Sequence, residues 1–155
     1  MKIKFILSLA ILILLVSCKT NQVTEIKAPP PATFFETSGL QGKWTLEYIS
    51  PVDGKDIKQL YKIQKPYLNF VDDTKVAGNN GCNNINGGYS ISSNHSIQFD
   101  TEKFGATRMF CEGLDEKVFL NALKSVNKFD VIDDEKKLVL ITGDIVTLSF
   151  VRAKD

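Results

Sequence analysis

GNNGCNNINGG, residues 78–88, is the most informative segment of this chain for the fold. It contains Asn80-Gly81 and Asn86-Gly87, and Asn-Gly is the strongest short hairpin signal because both residue types accept the positive φ of tight turns. A phosphate-binding loop would need a following lysine and hydroxyl side chain and then a long helix, and this segment has none of these. The glycines therefore predict a tight turn between strands.

The chain on both sides of this segment consists of short runs in which apolar and polar residues alternate, as they do in half-buried strands. Turn residues such as Asp72-Asp73 and Gly143-Asp144 separate the runs. The predicted strands are a first one around 44–49 and then Tyr67–Val71, Lys75–Gly78, Gly87–Ser92, Ser96–Asp100, Lys128–Ile132, Lys137–Thr142 and Ile145–Val151.

One longer helix is predicted among the strands, and a helical turn is expected within 53–63. The helix has acidic residues at its predicted start (Asp115 and Glu116) and lysines near its end (Lys124 and Lys128), as the helix dipole prefers. Its apolar stripe is formed by Leu114, Val118, Ala122 and Val126, with Phe119 and Leu123 beside it. The predicted fold class is α+β, a curved, mostly antiparallel sheet or partly open barrel packed by one main helix.

The composition is that of one globular domain. The chain has 155 residues, 43% of them hydrophobic, and its 19 Lys and Arg nearly balance 18 Asp and Glu. No basic cluster with interleaved aromatic residues is present in the sequence. We therefore predict no nucleic-acid partner, and no motif calls for a cofactor.

The N-terminus has the pattern of an export signal. Lys2 and Lys4 precede an apolar run, Phe5–Val16, that is too short to span a membrane. The run ends in Leu15-Val16-Ser17-Cys18, which resembles a bacterial lipobox. An ordinary signal peptide with an incidental cysteine is the alternative.

The lipobox interpretation divides the chain into three parts. Residues 1–17 are then a signal peptide, 18–38 a proline-rich tether, and 39–155 the folded domain. Cys18 carries lipid such as palmitate, so the membrane is an expected partner through this anchor. The expected location is the cell envelope, at the outer membrane facing the periplasm.

Two cysteines, Cys82 and Cys111, remain once Cys18 is lipidated. Cys82 could act as a nucleophile, with His95, the only histidine, as its base. Alternatively, Cys82, Cys111 and His95 could together bind a metal. However, the sequence indicates no acidic or amide side chain that would orient the His95 ring, and the candidate metal ligands include no C-x-x-C pair. In an oxidising compartment we expect a Cys82–Cys111 disulfide. We therefore predict no catalytic residue and no metal site.

Several motifs together resemble the META domain family. They are Gly42-x-Trp44 with Leu46, GNNGCNNINGGY at 78–89, TRMFC at 107–111, Glu116, the run 119–123, and the closing KLVLIT and LSF. The resemblance covers about residues 39–152. It implies a small exported α+β domain with a curved antiparallel sheet, roles linked to heat shock or antibiotic tolerance, and no established catalytic activity. The motif positions that it transfers are Gly81, Cys82, Asn83, Gly88, Thr107, Arg108, Met109 and Cys111.

The polar motif residues suggest structural roles first. Asn83 is expected to cap backbone amides beside the turn through its short side chain. Arg108 is expected to pair with a carboxylate such as Asp100 or Glu112, or else to meet an anionic ligand.

The apolar motif residues are expected inside the domain. Met109 and Phe110 should fill the core. Trp44 should pack the sheet against the helix, with stacking on a sugar as the less favoured alternative.

Three functions are compatible with these observations. The first is a non-enzymatic, membrane-anchored envelope lipoprotein that binds a partner, an envelope protein or cell-wall surface, under envelope or heat stress. The second is a module that binds a small apolar or anionic ligand on the concave face of the sheet. The third is a thiol-dependent or hydrolytic enzyme, for which the sequence offers no assembled site.

Overall fold

The computed structural model describes residues 39–92 and 95–154. The predicted signal peptide, Cys18 and the tether lie outside the described residues. Within those residues, no helix is long and apolar enough to cross a membrane.

The domain is mostly β-structure, with two short helices. Along the chain its elements are β1 (Gly42–Ile49), α1 (Ile57–Leu60), β2 (Tyr67–Phe70), β3 (Lys75–Asn79), β4 (Asn84–Ser92), β5 (Ser96–Phe99), a 3₁₀ turn (Thr101–Lys103), β6 (Gly105–Ala106), α2 (Lys117–Ser125), β7 (Lys128–Ile132), β8 (Lys137–Thr142) and β9 (Ile145–Arg152).

Eight of the nine strands form an antiparallel barrel. Neighbouring strands follow the order β3-β2-β1-β9-β8-β7-β5-β4, and β4 pairs back with β3 to close the ring. The short β6 pairs with β4 alongside the place where β5 ends. A curved antiparallel sheet is thus confirmed, but the sheet is closed rather than partly open.

The barrel interior is packed by the inward-facing residues that the alternation predicts. Leu138 and Leu140 of β8 are fully buried, as are Leu148 and Phe150 of β9. Trp44 is fully buried too, and its indole Nε1 donates to the Leu40 carbonyl at 2.7 Å. A ring buried in this way is not available to stack on a sugar.

The helices contribute less than predicted. α2 buries Phe119 and Leu123 completely, while the stripe that includes Val118 and Ala122 is only partly buried. The predicted face does pack against the core, and Val126 just beyond the helix is buried, but the centre of the buried face lies on Phe119 and Leu123 rather than on the predicted stripe. Glu116 is the residue that precedes the helix, and Lys128 belongs to β7 instead.

The two Asn-Gly pairs have different structures. Asn80-Gly81 lies in the turn between β3 and β4, as predicted. Asn86-Gly87 lies inside β4, so it is not a turn. Gly87 is needed there because the Phe104 ring occupies the space that a β-carbon would take.

Candidate functional site

A disulfide between Cys82 and Cys111 connects the β3–β4 turn to the loop that precedes α2. The two Cα atoms are 6.0 Å apart, and 29 positions separate the cysteines in the sequence. The predicted disulfide is present, so neither sulfur is a free thiol that His95 could activate. His95 is exposed, with Nδ1 3.8 Å from Asp130 Oδ1. Among the described residues, no group of three His, Cys, Asp or Glu side chains could hold a metal.

The β3–β4 turn is held by the side chains of Asn79 and Asn80; Asn80 belongs to the predicted Asn-Gly turn, whereas Asn79 had no predicted role. Asn80 Oδ1 accepts hydrogen bonds from the amides of Cys82 (3.1 Å) and Asn83 (2.7 Å). Asn79 Oδ1 accepts from the Gly81 amide at 2.7 Å. Asparagines that bond to amides two or three residues ahead form Asx turns, and the repeated asparagines of 79–84 were a usable signal for this.

Asn83 does not cap the turn, contrary to the prediction. Its side chain is completely buried and reaches across to the 107–111 loop, defined here as Thr107–Cys111. Oδ1 accepts from Thr107 Oγ1 (2.8 Å) and from the Met109 amide (2.7 Å). Nδ2 donates to the Met109 carbonyl (3.0 Å) and to Glu116 Oε2 (2.8 Å). One amide side chain therefore fixes both the loop and the start of α2.

Two glycines of the transferred motif have different reasons to be there. Gly81 has a φ of +102°, and a β-carbon on it would lie 2.6 Å from the Tyr61 ring. Both facts exclude a larger residue without rearrangement. A β-carbon on Gly88 would meet only the Thr74 carbonyl at an ordinary 3.7 Å, so the structure gives no steric reason for that glycine.

The apolar residues of the 107–111 loop are on the surface, so the prediction that they fill the core was wrong. Met109 is 55% exposed and Phe110 is 91% exposed. The loop cannot turn them inward because Asn83 binds both backbone groups of Met109 and the disulfide fixes Cys111. Their hydrophobicity predicts that Met109 and Phe110 are buried. They are exposed because the hydrogen bonds and the disulfide of the loop fix its backbone.

Arg108 also differs from its prediction. It is exposed and forms no ion pair with any described residue, while Asp100 pairs with Lys103 at 2.7 Å. Arg108 is therefore a free surface cation beside the exposed apolar side chains.

A cavity of about 260 Å³ lies beside the disulfide. Its walls come from α1 and the residues after it, from the β3–β4 turn, and from the chain at 109–114; no strand residue contributes. Leu60, Tyr61, Ile63, Met109 and Leu114 are its main apolar lining residues. The concave side of the sheet is instead filled by the core.

Two exposed apolar side chains lie at the rim of this cavity. Ile63, which lines the cavity, is 91% exposed, and Met109 lines both this cavity and a neighbouring surface groove. Burial, with a smaller contribution from Asp115, raises the pKa of Tyr61 to about 12. Its hydroxyl therefore stays protonated at neutral pH, and it has no hydrogen-bond partner in the described part of the chain. Neither Tyr61 nor Ile63 carried a sequence signal.

The polar groups of this region form bonds within the domain. Its amides and the Glu116 carboxylate are engaged in holding the 107–111 loop, and its cysteines are oxidised. What it presents outward is a rigid apolar surface, which we call the binding end: Ile63, Met109 and Phe110 with the cavity beside them. Clustered exposed apolar residues mark interaction sites in soluble domains.

Comparison with known proteins agrees with this fold. A crystal structure of a DUF4847 family protein from Bacteroides vulgatus ATCC 8482 is 15% identical, with a TM-score of 0.50 over 74% of this chain and 94% of that one. A structure solved by NMR is 22% identical over 72% of this chain and 88% of that one, with a TM-score of 0.49. No curated protein matches the sequence significantly. The META domain profile matches residues 37–155, and the chain therefore belongs to the META domain family.

Proposed function

We propose that this chain is a non-enzymatic envelope lipoprotein whose META domain binds a partner protein through the binding end. Lipid on Cys18 anchors it, at the outer membrane on the periplasmic side. The role in tolerance of envelope or heat stress is supported only by the family resemblance.

Export is supported by two independent features. The lipobox-like Leu15-Val16-Ser17-Cys18 follows a short apolar run that is typical of a secretory signal. The remaining cysteines, Cys82 and Cys111, form a disulfide, which is common in exported proteins and rare in cytosolic ones.

The observation that carries the binding function is the exposure of Met109 and Phe110 on a loop that is held in place. A mobile loop could bury these side chains against the domain, but this loop is fixed by Asn83 and the disulfide. Keeping an aromatic ring in water is unfavourable by roughly 1.5–3 kcal/mol relative to burying it. A partner that covers Phe110 recovers this free energy, and rigid anchors lose little entropy on binding.

The binding end is also placed where a partner can reach it. Gln41, close to the start of the described chain, donates to Asp73 Oδ1 at 3.2 Å in the β2–β3 turn. The binding end is next to the β3–β4 turn, at the other end of β3 and about 17 Å away for a five-residue strand. A chain that reaches the domain from the N-terminal side therefore enters at the far end from the exposed apolar residues.

A small apolar ligand is the second candidate, and the cavity of about 260 Å³ is the observation that favours it. An apolar cavity of about 150 Å³ already accepts benzene, so a somewhat larger molecule would fit here. Such a ligand would occupy the cavity beside the disulfide and not the concave face of the sheet.

The test is photo-cross-linking in cells, with a benzophenone amino acid at position 110 and, as a matched control, at the exposed position 134 in the β7–β8 turn. We expect one recurrent protein to be cross-linked from position 110 and not from 134. Phe110→Ser should weaken the affinity of the purified pair at least about tenfold, as loss of an aromatic anchor does. Equal cross-linking from both positions would contradict the assignment of the binding end.

A further inference from the structure

At the binding end, β6 (Gly105–Ala106) pairs with β4 on one side only, and residues 107–110 continue beyond it without belonging to a strand. Gly105 pairs with Asn86 in the β4–β6 ladder, and the Thr107 amide donates to the Asn84 carbonyl at 3.0 Å. The Met109 amide continues the pattern by donating to Asn83 Oδ1. Alternate residues from 105 to 109 therefore direct their backbone groups toward the β4 side.

The residues between them face the opposite way. In an extended chain the backbone groups of successive residues point to opposite sides, so Ala106, Arg108 and Phe110 direct theirs away from β4. Ala106 lies opposite Ile85 in a non-hydrogen-bonded pair, and within the described residues no backbone hydrogen bond reaches Arg108 or Phe110. We call residues 105–110 the open edge.

The open edge is accessible along its length. All of its residues are exposed. A shallow groove of about 450 Å³ lies along it, and its lining includes residues 106–110 together with Phe104 and Glu116.

The open edge is also rigid. Asn83 and the Cys82–Cys111 disulfide hold the chain on the β4 side and just beyond Phe110. The other strands have a neighbour on each side, because the barrel closes through β3 and β4, although the contact between β5 and β7 is a single register pair, so their facing edges are also partly unpaired. The open edge is a fully exposed place in the described chain where a strand can be added.

We propose that the partner binds by strand addition: an extended polypeptide segment pairs its backbone with Ala106, Arg108 and Phe110 along the open edge. This rests on the proposed function, in which the binding end takes a protein. Main-chain bonds supply affinity in this mode, and side-chain pockets supply selectivity. Side chains on one face of the segment cover Met109, and those on the other face cover Phe110.

A peptide segment fits these observations better than a free small molecule. The cavity, at about 260 Å³, lies below the roughly 300–1,000 Å³ that is usual for small-molecule pockets. A molecule inside it would leave Phe110 and the outward backbone groups uncovered. An added strand covers both, because its own donors and acceptors repeat at the same two-residue spacing of about 6.8 Å.

The experiment uses the purified, oxidised protein and a short capped peptide of alternating threonine and valine, with the same peptide methylated on every backbone nitrogen as the control. Amide hydrogen exchange is followed by NMR. At ten times its Kd, the peptide should slow exchange at Arg108 and Phe110 about tenfold. The amides of Thr107 and Met109, which are already bonded, should change much less. The methylated peptide should have no effect.

Two variants separate main-chain from side-chain binding. Arg108→Pro removes an outward amide without removing an inward bond, so it should abolish binding of the peptide. Arg108→Ala keeps the amide and should bind within about twofold of the wild type. Strand addition would be overturned by any of three results: protection from exchange that does not alternate between residues, no protection from exchange, or normal peptide binding by Arg108→Pro.

Failure of this inference is distinguishable from failure of the proposed function. If the cross-links from position 110 persist while the peptide shows no alternating protection, the binding end is correct and strand addition is wrong. If the cross-links from position 110 are absent as well, both are wrong.

Discussion

Replacing Asn83 with alanine should strongly destabilise the domain. The side chain is fully buried and makes four hydrogen bonds, to Thr107 Oγ1, to the amide and carbonyl of Met109, and to the Glu116 carboxylate. Neutral hydrogen bonds contribute about 1 kcal/mol each and one to a charged group about 1.5 kcal/mol, so the four together contribute about 4.5 kcal/mol. Water entering beside the exposed 107–111 loop recovers part of this, and we expect a loss of about 3–4 kcal/mol.

The measurement is urea denaturation followed by the fluorescence of Trp44, the single and fully buried tryptophan. The midpoint should fall with an unchanged slope, because the surface exposed on unfolding stays the same. Asn121→Ala is the matched control: this asparagine is exposed on α2, and its replacement should change stability by no more than about 0.5 kcal/mol.

A second arm tests whether Asn83 acts through the 107–111 loop. When Cys82→Ala has already freed one end of that loop, Asn83→Ala should cost less, and the two changes should be non-additive by about 1 kcal/mol or more. A loss below about 1 kcal/mol for Asn83→Ala alone would refute the idea that this side chain holds the loop. If the effects of Cys82→Ala and Asn83→Ala on stability are fully additive, Asn83 does not act through the 107–111 loop.

Three further predictions concern the disulfide, the anchor and a buried phenol. Removing both Cys82 and Cys111 by alanine substitution should cost about 3.6 kcal/mol in urea denaturation, from the entropy of closing a loop of 29 residues; rapid alkylation of both sulfurs in the oxidised native protein would contradict the disulfide. Cys18→Ser should abolish labelling by radioactive palmitate and release the protein from membranes, and persistent labelling would contradict the lipobox interpretation. Because burial raises the pKa of Tyr61 and of Tyr89 from 10.0 to about 12, their contribution to stability should be complete below pH 10 and lost as pH rises from 10 to 12. Ultraviolet titration should show two tyrosines ionising late, and Tyr61→Phe should remove one of them; ionisation of all four tyrosines near pH 10 would exclude the shift.

The strands were largely predictable because their signal is local. Lys128–Ile132 and Lys137–Thr142 have the predicted bounds, since alternation of apolar residues fixes which side chains face inward. Closure of the barrel was not predictable, because it depends on the pairing of β1 with β9 and of β5 with β7, strands that are separated in the sequence and whose pairing no local pattern specifies.

At the candidate site, the Cys82–Cys111 disulfide was predictable from the sequence, but the exposure of the apolar side chains was not. Export and the cysteine count were enough to expect the disulfide. The exposure of Phe110 was not foreseen, because it depends on where a buried amide finds its partners: Asn83 bonds to residues 24 and 26 positions away. The sequence shows that the Asn83 side chain can bond to backbone groups. Which groups it bonds to depends on which segments the fold brings next to it.

The junction between β5 and β7 should determine where unfolding of the domain starts. Among the described residues these strands share one register pair, Ser96 with Lys128, flanked by bonds from the Ile97 and Phe129 amides, whereas β8 and β9 pair along the whole of β8. Partial unfolding starts where the fewest bonds must break, so heating should open the barrel along this junction first. The opened form would leave one edge of β5 and one edge of β7 without a partner, and self-association of such molecules would precede complete unfolding. Thermal inactivation of this protein should therefore depend on its concentration.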